Sequence, residues 1–268
     1  MRLTRSFLFV LMCLAAPLFA VMEAQPYNSA EPAVVQRFLS RPDEPLSRYR
    51  ALRRLEARND RFNLQGWLDA WTELTAEGRF EYAIVREGGS EYIRNKVLRP
   101  LLANEERLFA TTDASRSAVT SQNYDLRGLE DAAEPGLVKL LVKPKRRDVS
   151  LIDGAVFVTE DEADLVRVEG RLAKNPSFWT KRVDVVRRYD RIGGMRVPVR
   201  LDSVAQVRLA GTSTLSVTWD YETINGERVA SGALGALGAP GARNAPSASV
   251  VSMASASARA RAALAETR

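Results

Sequence analysis

Apolar and polar positions alternate along the segment MRVPVRLDSVAQVRL, Met195–Leu209. The odd positions are mostly apolar, whereas the even positions carry Arg196, Arg200, Asp202 and Arg208. A period of two residues predicts a β-strand with one face turned away from water. Typical strands have about five or six residues, so this one is predicted to be unusually long. Its apolar face covers either an ordinary core or the wall of a ligand cavity, and the pattern alone leaves both open.

The same alternation returns in most of the chain between Tyr49 and Thr223. It predicts further strands in RYRALRRLEA, RFEYAIVRE, GLVKLLVKP, ADLVRVEGRL, TKRVDVVRRYDRIGG and TSTLSVTWDYET. GWLDAWTELT, which has a mixed pattern, and RDVSLIDGAVFVTE, which is apolar on both faces, are also predicted as strands. Short polar links join several of them, which is typical of antiparallel neighbours. We therefore expect about nine or ten strands in sequence order, forming one large curved antiparallel sheet with one apolar face.

Two segments change to helical spacing. SAEPAVVQRFLSRP predicts a short amphipathic helix that ends before Pro42. In GGSEYIRNKVLRPLLANEERLF, Ser90 is a suitable N-cap, and Pro100 is expected to kink the helix or divide it in two. The predicted fold class is mainly β, of the α+β type, with an N-terminal helix and one inserted helical segment.

Both termini have compositions that set them apart from this domain. Arg2 and Arg5 precede an apolar run, Phe7–Ala20, which together are typical of a secretory signal peptide. We predict a signal peptide over residues 1–24, with cleavage after Ala24 and, as alternatives, cleavage after Ala20 or an uncleaved N-terminal anchor. Residues 25–228 are the predicted folded domain. Residues 229–268 form an Ala/Gly/Ser-rich tail that is predicted to be disordered. The protein is therefore predicted to be periplasmic.

The amino-acid composition excludes several kinds of catalytic site, metal site and disulfide. The 268 residues include no histidine and a single cysteine, Cys13, which lies in the predicted signal peptide, and the formal net charge is +6. Histidine-based triads, histidine metal sites and structural disulfides are thus excluded for the mature chain. GTST, Gly211–Thr214, does not match a nucleophile elbow. We predict a non-enzymatic protein without cofactor or metal; a hydrolase that uses paired carboxylates is the remaining catalytic alternative.

Three loops carry side chains that could meet a ligand. TEDEAD, Thr159–Asp164, is either a cation site or, as we favour, a solvated hairpin tip. KPKRRD, Lys143–Asp148, could touch phospholipid headgroups or an acidic partner, although a charged turn is the favoured interpretation. NPSFWTKR places Phe178 and Trp179 in a loop, where they either guard a pocket mouth or close one end of the core.

The block DLVRVEGRLAKNPSFWTKRVDVVRRYDRIGGMRVPVRLDSVAQVRLAGTSTLSVTWDY, together with GGSEYIRNKVLR, resembles the outer-membrane lipoprotein-sorting family of LolA/LolB-like proteins, and is most similar to its poorly characterised bacterial members. The resemblance covers roughly Tyr49 to Thr223. It implies an incomplete antiparallel barrel with a helical lid over an apolar cavity. No arginine of this chain aligns with the functional arginine of the carriers, so the resemblance transfers no binding residue.

The resemblance also implies a function. It predicts a periplasmic protein that holds acyl chains of a lipoprotein or phospholipid, without nucleic acid and without a stable membrane span after signal cleavage. The alternative is an envelope sensor or interaction module of the same fold, with an envelope protein as its partner. The residues predicted to line the cavity share the apolar parity of two neighbouring strands, and the alternative for each is plain core: Met195, Val197, Val199, Leu201, Leu215, Val217, Trp219 and Tyr221.

Overall fold

The computed structural model describes residues 33–41, 46–111 and 117–229. The predicted signal peptide lies outside the described residues, as does the predicted tail apart from its first residue. That residue, Val229, donates its backbone N–H to the Glu222 carbonyl at 3.0 Å. Within the described residues, no helix is long and apolar enough to cross a membrane.

The described chain forms an open antiparallel sheet with helices on its apolar side, which confirms the predicted fold class. The strands are β1 (Tyr49–Asn59), β2 (Leu64–Leu74), β3 (Phe80–Gly89), β4 (Tyr124–Asp131), β5 (Leu137–Pro144), β6 (Ile152–Thr159), β7 (Leu165–Leu172), β8 (Thr180–Ile192), β9 (Met195–Val207), β10 (Gly211–Ile224) and β11 (Glu227–Arg228). The helices are α1 (Ala33–Ser40), α2 (Glu91–Ile93) and α3 (Arg99–Thr111), with a π-helical turn over Arg94–Leu98.

The order of the strands differs from a simple meander at one junction. The 11-stranded sheet runs β3-β2-β1-β10-β9-β8-β7-β6-β5-β4, and β11 pairs with β10. The chain thus leaves one edge of the sheet after β3, passes through the inserted helices, and resumes at the opposite edge with β4. Strands β4–β10 then return in sequence order until β10 pairs with β1. The prediction of one sequential meander is wrong here because the helical segment joins the two edges.

The inserted helix divides as its proline predicts. Ser90 Oγ accepts a hydrogen bond from the Ile93 backbone N–H, so it caps the first turn. The π-helical turn ends just before Pro100, which lacks the N–H that a regular α-helical turn would use. Helices α2 and α3 and the π-helical turn lie against β1–β3.

The core fills the apolar side of the sheet along most of its length. Odd positions of β9 are buried apart from the half-buried Val199, and odd positions of β10 are buried from Ser213 to Tyr221, as predicted. The strand is shorter than the predicted Met195–Leu209, because β9 ends at Val207. Leu209 lies in the following turn with a positive φ of 65°. Its side chain is therefore solvent-exposed, against the prediction that the apolar face continues to Leu209.

Candidate functional site

The predicted cavity residues lie together on the apolar side of the sheet. Met195, Val197, Leu201, Leu215, Val217, Trp219 and Tyr221 are all buried in one core cluster, and Val199 is half-buried against it. Leu201 faces Val217 across the β9–β10 ladder. None of these eight residues lines any of the three cavities described below, so a ligand cavity along their face stays a prediction.

Polar side chains interrupt this core beneath α3. The Arg53 guanidinium of β1 is fully buried and pairs with the Glu105 carboxylate of α3 at 2.8 Å. It also lies over the Trp219 ring, at 4.7 Å from the ring centroid. Burial lowers the pKa of Arg53, but Glu105 and Tyr49 more than reverse that shift and raise it. Burial raises the pKa of Glu105, with Arg53 opposing the shift. The pair fixes α3 to the sheet from inside the core.

An apolar groove opens at one end of the sheet, and we name it the end groove. It is a cavity of about 330 Å³. Its walls come from the β1–β2 turn, the first residue of β2, the start of α2 and the β9–β10 turn, through Asn59, Phe62, Leu64, Tyr92, Ile93, Leu209 and Ala210. The side chains are mostly hydrophobic, and three of them remain open to solvent, because Phe62 is 55%, Leu209 60% and Tyr92 38% exposed.

Asn59 holds two walls of the end groove together. Its amide nitrogen donates to the Ala210 carbonyl at 2.8 Å and to Ser213 Oγ at 2.9 Å. Its side-chain oxygen accepts a hydrogen bond from the Phe62 backbone N–H at 2.9 Å. Both ends of this buried amide are therefore used to fix the two turns, and little hydrogen-bonding capacity is left for a polar ligand.

Two glycines allow the start of the helical segment, which forms the third wall of the end groove, to approach the sheet closely. Gly89 adopts a φ of 76°, which only glycine adopts readily, and turns the chain from β3 into the helical segment. Ile93 then packs directly on Gly66, where an added Cβ would lie 2.9 Å from the Ile93 side chain. The sequence GGS thus sets both the turn and the cap that bring Tyr92 and Ile93 to the groove.

The residues predicted to guard a pocket mouth lie at the same end of the sheet but outside the end groove. Phe178 is 75% exposed, while Trp179 is half-buried against the core. Their rings contact edge to face, with centroids 5.8 Å apart. The Arg208 backbone N–H donates to the Trp179 carbonyl at 2.8 Å, which ties this loop to the β9–β10 turn.

In the acidic loop Thr159–Asp164, carboxylates pair with arginines from other parts of the chain, whereas in the basic loop Lys143–Asp148 an arginine lies near a carboxylate of the same loop. In the acidic loop, Asp164 accepts two bonds of 2.7 Å from Arg191, and Glu162 pairs with Arg41 at 3.0 Å. The described residues contain no group of three or more Asp, Glu, His or Cys side chains that could hold a metal ion. In the basic loop, Arg146 lies 3.7 Å from Asp148.

Two further cavities are less suited to an apolar ligand. One, of about 320 Å³, lies at the opposite end of the sheet and has polar walls that include Arg48, Glu73 and Glu77. The other, of about 250 Å³, lies beside α1 with mixed walls that include Phe38 and Lys145. The Tyr124 ring borders this second cavity, and burial raises the pKa of its hydroxyl to about 12.

Sequence patterns did not reveal the end groove. Phe62 and Leu209 lie in turns between strands, and an apolar residue in a turn is a weak signal by itself. The only clue was that both are large apolar residues at turn positions, where polar residues or glycine are usual. That these turns meet α2 follows from the strand order, which periodicity does not give.

The chain was compared with known proteins. No family model matches it, and no curated protein matches it. Among solved structures, it is similar to a DUF1329 family protein from Desulfovibrio piger, with a TM-score of 0.36 and 11% identity over 70% of this chain and 88% of that one. It is also similar to a LolA superfamily protein from Nitrosomonas europaea, with a TM-score of 0.30 and 10% identity over 66% and 86% of the respective chains. At these values, neither likeness assigns a family or a ligand.

Proposed function

We propose that the protein is a non-catalytic, exported binding protein that holds an acyl chain of a lipoprotein or phospholipid in the end groove. The observation that supports this proposal is the apolar character of a groove whose rim is left uncovered by the described part of the chain. Covering Phe62 and Leu209 with hydrocarbon removes apolar surface from water on both sides of the contact.

The size of the groove fits one chain better than a whole lipid. Ligand pockets usually measure about 300–1,000 Å³, and the end groove, at about 330 Å³, lies at the lower limit. Each buried CH₂ contributes about 0.8 kcal/mol, so even a short chain that enters completely gains useful affinity. The polar end of the ligand then remains outside, near the turns.

The walls also suggest how binding is linked to the helical insertion. Tyr92 and Ile93 begin the helical segment, whereas Phe62 and Leu209 belong to turns of the sheet. An acyl chain in the groove therefore contacts both layers at once. Movement of α2 away from Gly66 would widen the groove and release the chain.

The test is binding of a soluble dansyl-labelled undecanoic acid, followed by fluorescence. Phe62→Glu should weaken binding about tenfold or more, because it places a charge in an apolar wall. Val85→Glu is the matched control: Val85 is a similarly exposed apolar residue, 52%, on the edge strand β3 and outside the groove. This variant should bind as the wild type does.

Two results would count against acyl binding in the groove. One is the absence of saturable binding by the wild-type protein. The other is equal weakening by Phe62→Glu and Val85→Glu, which would mean that the probe adsorbs to any exposed apolar patch. In either case, the alternative of an envelope sensor or interaction module becomes the better hypothesis.

A further inference from the structure

Large apolar side chains are exposed in three separate loops at one end of the sheet, which we name the loop end. They are Phe62 in the β1–β2 turn, Phe178 in the β7–β8 loop and Leu209 in the β9–β10 turn. The strand register places these loops together, because Asn59 pairs with Ser213, Gly211 with Val207, and Val207 with Thr180. Soluble proteins seldom leave such a cluster uncovered without a use for it.

Basic residues surround this apolar cluster. The described residues of the loops at the loop end include Arg61, Lys145, Arg146, Arg147, Lys174 and Arg208, against Asp60 and Asp148. The described residues of the loops at the opposite end of the sheet include Glu77, Glu134, Glu160, Asp161, Glu162 and Asp164, against Arg41, Arg48 and Arg79. The described loops of the loop end are thus net basic, while those of the opposite end are net acidic even though Arg41 and Arg191 pair with two of their carboxylates. An anionic surface would therefore attract the loop end more strongly than the opposite end.

Two of the basic side chains lie against the exposed rings. Arg61 lies over the Phe62 ring at 5.9 Å and Arg208 over the Phe178 ring at 4.8 Å, measured to the centroids. Neither arginine forms an ion pair with any described carboxylate. Each loop therefore presents a hydrophobic ring beside a cation that is available to an external anion.

Leu209 occupies a conformation that leucine disfavours. Its φ of 65° lies in the left-handed region, where glycine or asparagine is the usual residue. Its side chain is also 60% exposed. The turn thus holds leucine in a backbone conformation that it disfavours, with its apolar side chain in solvent. Backbone strain of this kind is concentrated at functional sites.

We propose that the loop end docks on the headgroup region of an anionic phospholipid bilayer. Phe62, Phe178 and Leu209 enter the interface, while the basic loops contact phosphate groups. A bilayer fits better than an acidic protein, because aromatic and aliphatic tips beside arginine and lysine match the apolar and anionic layers of a membrane surface. The docking surface shares Phe62 and Leu209 with the end groove, whereas Phe178 and the basic residues lie outside it, so variants of Phe178 test docking without changing a groove wall.

The experiment is co-sedimentation of the mature protein with vesicles of equimolar phosphatidylglycerol and phosphatidylcholine, and with vesicles of phosphatidylcholine alone. The wild type should bind the anionic vesicles far more tightly, and its affinity should fall steeply with salt. Phe178→Ser and, separately, Arg208→Glu should each weaken binding about tenfold or more.

Arg79→Glu is the control for net charge. Arg79 is an exposed arginine at the opposite end of the sheet, so its reversal changes the protein's charge without touching the loop end. This variant should bind anionic vesicles within about twofold of the wild type. If Arg79→Glu weakens binding as much as Arg208→Glu, or if the wild type ignores anionic vesicles, the proposal is wrong. The second result would leave an acidic protein as the partner.

The probe-binding and vesicle-binding assays distinguish a failure of the proposed acyl binding from a failure of the proposed membrane docking. Phe178→Ser should leave binding of the soluble fatty-acid probe unchanged while vesicle binding weakens about tenfold or more. Loss of probe binding with normal vesicle binding would refute the proposed function alone. Normal probe binding by a wild-type protein that does not bind vesicles would refute the docking alone.

Leu209→Gly gives a further test that unfolding cannot imitate. Glycine relieves the left-handed backbone, so the urea midpoint should rise. The lost side chain should at the same time weaken binding to anionic vesicles about threefold or more. A lower midpoint, or a higher midpoint with unchanged vesicle binding, would contradict a membrane-contacting role for this leucine.

Discussion

Replacing Glu105 with leucine is expected to lower the free energy of unfolding by about 3–5 kcal/mol. The reason lies with its partner. Arg53 is fully buried, keeps its charge at any ordinary pH, and is held 2.8 Å from the Glu105 carboxylate. Leucine removes that carboxylate and leaves the guanidinium charge inside the core. Urea denaturation at neutral pH measures the loss.

A double variant separates this explanation from a packing defect. Arg53→Met with Glu105→Leu removes both charges and should recover most of the loss, because well-packed apolar pairs often replace buried ion pairs without cost. Recovery should be incomplete, since the contact of Arg53 with Trp219 is also lost. If the double variant is no more stable than Glu105→Leu, the uncompensated charge is not the cause.

An exposed ion pair provides the matched control. Glu56 pairs with Arg54 at 2.6 Å, and both side chains are nearly half exposed. Glu56→Leu should cost no more than about 1 kcal/mol, since water already screens this pair. A comparable loss in the Glu56 and Glu105 variants would show that burial does not distinguish the two.

The fold class could be predicted from sequence because the signal is local. The odd positions of Met195–Val207 alternate with polar residues, and the same parity continues in Gly211–Ile224, so both strands and their buried face could be predicted from neighbouring residues. Ser90 and Pro100 likewise mark the start and the division of the helical segment through their own chemistry. Such features do not depend on which element lies beside which.

The strand order could not be predicted in the same way. The pairing of β1 with β10 joins residues far apart in the chain, and no period indicates it. The segment YDLRGLED, which forms the edge strand β4, was not predicted as a strand, because it carries no β-branched residue. The number of strands and the crossover after β3 both depend on this edge.

The candidate site depends on the same long-range contacts. Arg53 is visible in the sequence only as an interruption of an apolar face, whereas its partner Glu105 lies 52 residues away in a helix. The end groove needs the β1–β2 turn, α2 and the β9–β10 turn to meet. Leu209 was predicted to continue an apolar face, and only the end of β9 at Val207 makes it a turn residue.

Replacing Gly154 with alanine is expected to cost about 3 kcal/mol, near the upper limit for an overpacked core. Gly154 of β6 faces Gly170 of β7 across the ladder. A Cβ on Gly154 would lie 2.1 Å from the Glu169 carbonyl oxygen and 2.6 Å from the Gly170 Cα. These are backbone atoms, so no side chain can rotate away, and the two strands must separate to admit one methyl group. Urea denaturation of the variant measures the cost.

Gly136→Ala tests whether collision, and not the loss of glycine as such, is responsible. Gly136 has a φ of 78°, and an added Cβ would meet nothing within 4 Å. Its replacement should therefore cost only the left-handed backbone penalty of about 1–2 kcal/mol. Gly154→Ala should exceed that value although Gly154 has no such backbone conformation, because its penalty comes from the approach of β6 to β7. If Gly154→Ala is the milder of the two, the strands are not held at this separation, and the sheet can open between β6 and β7 at little cost.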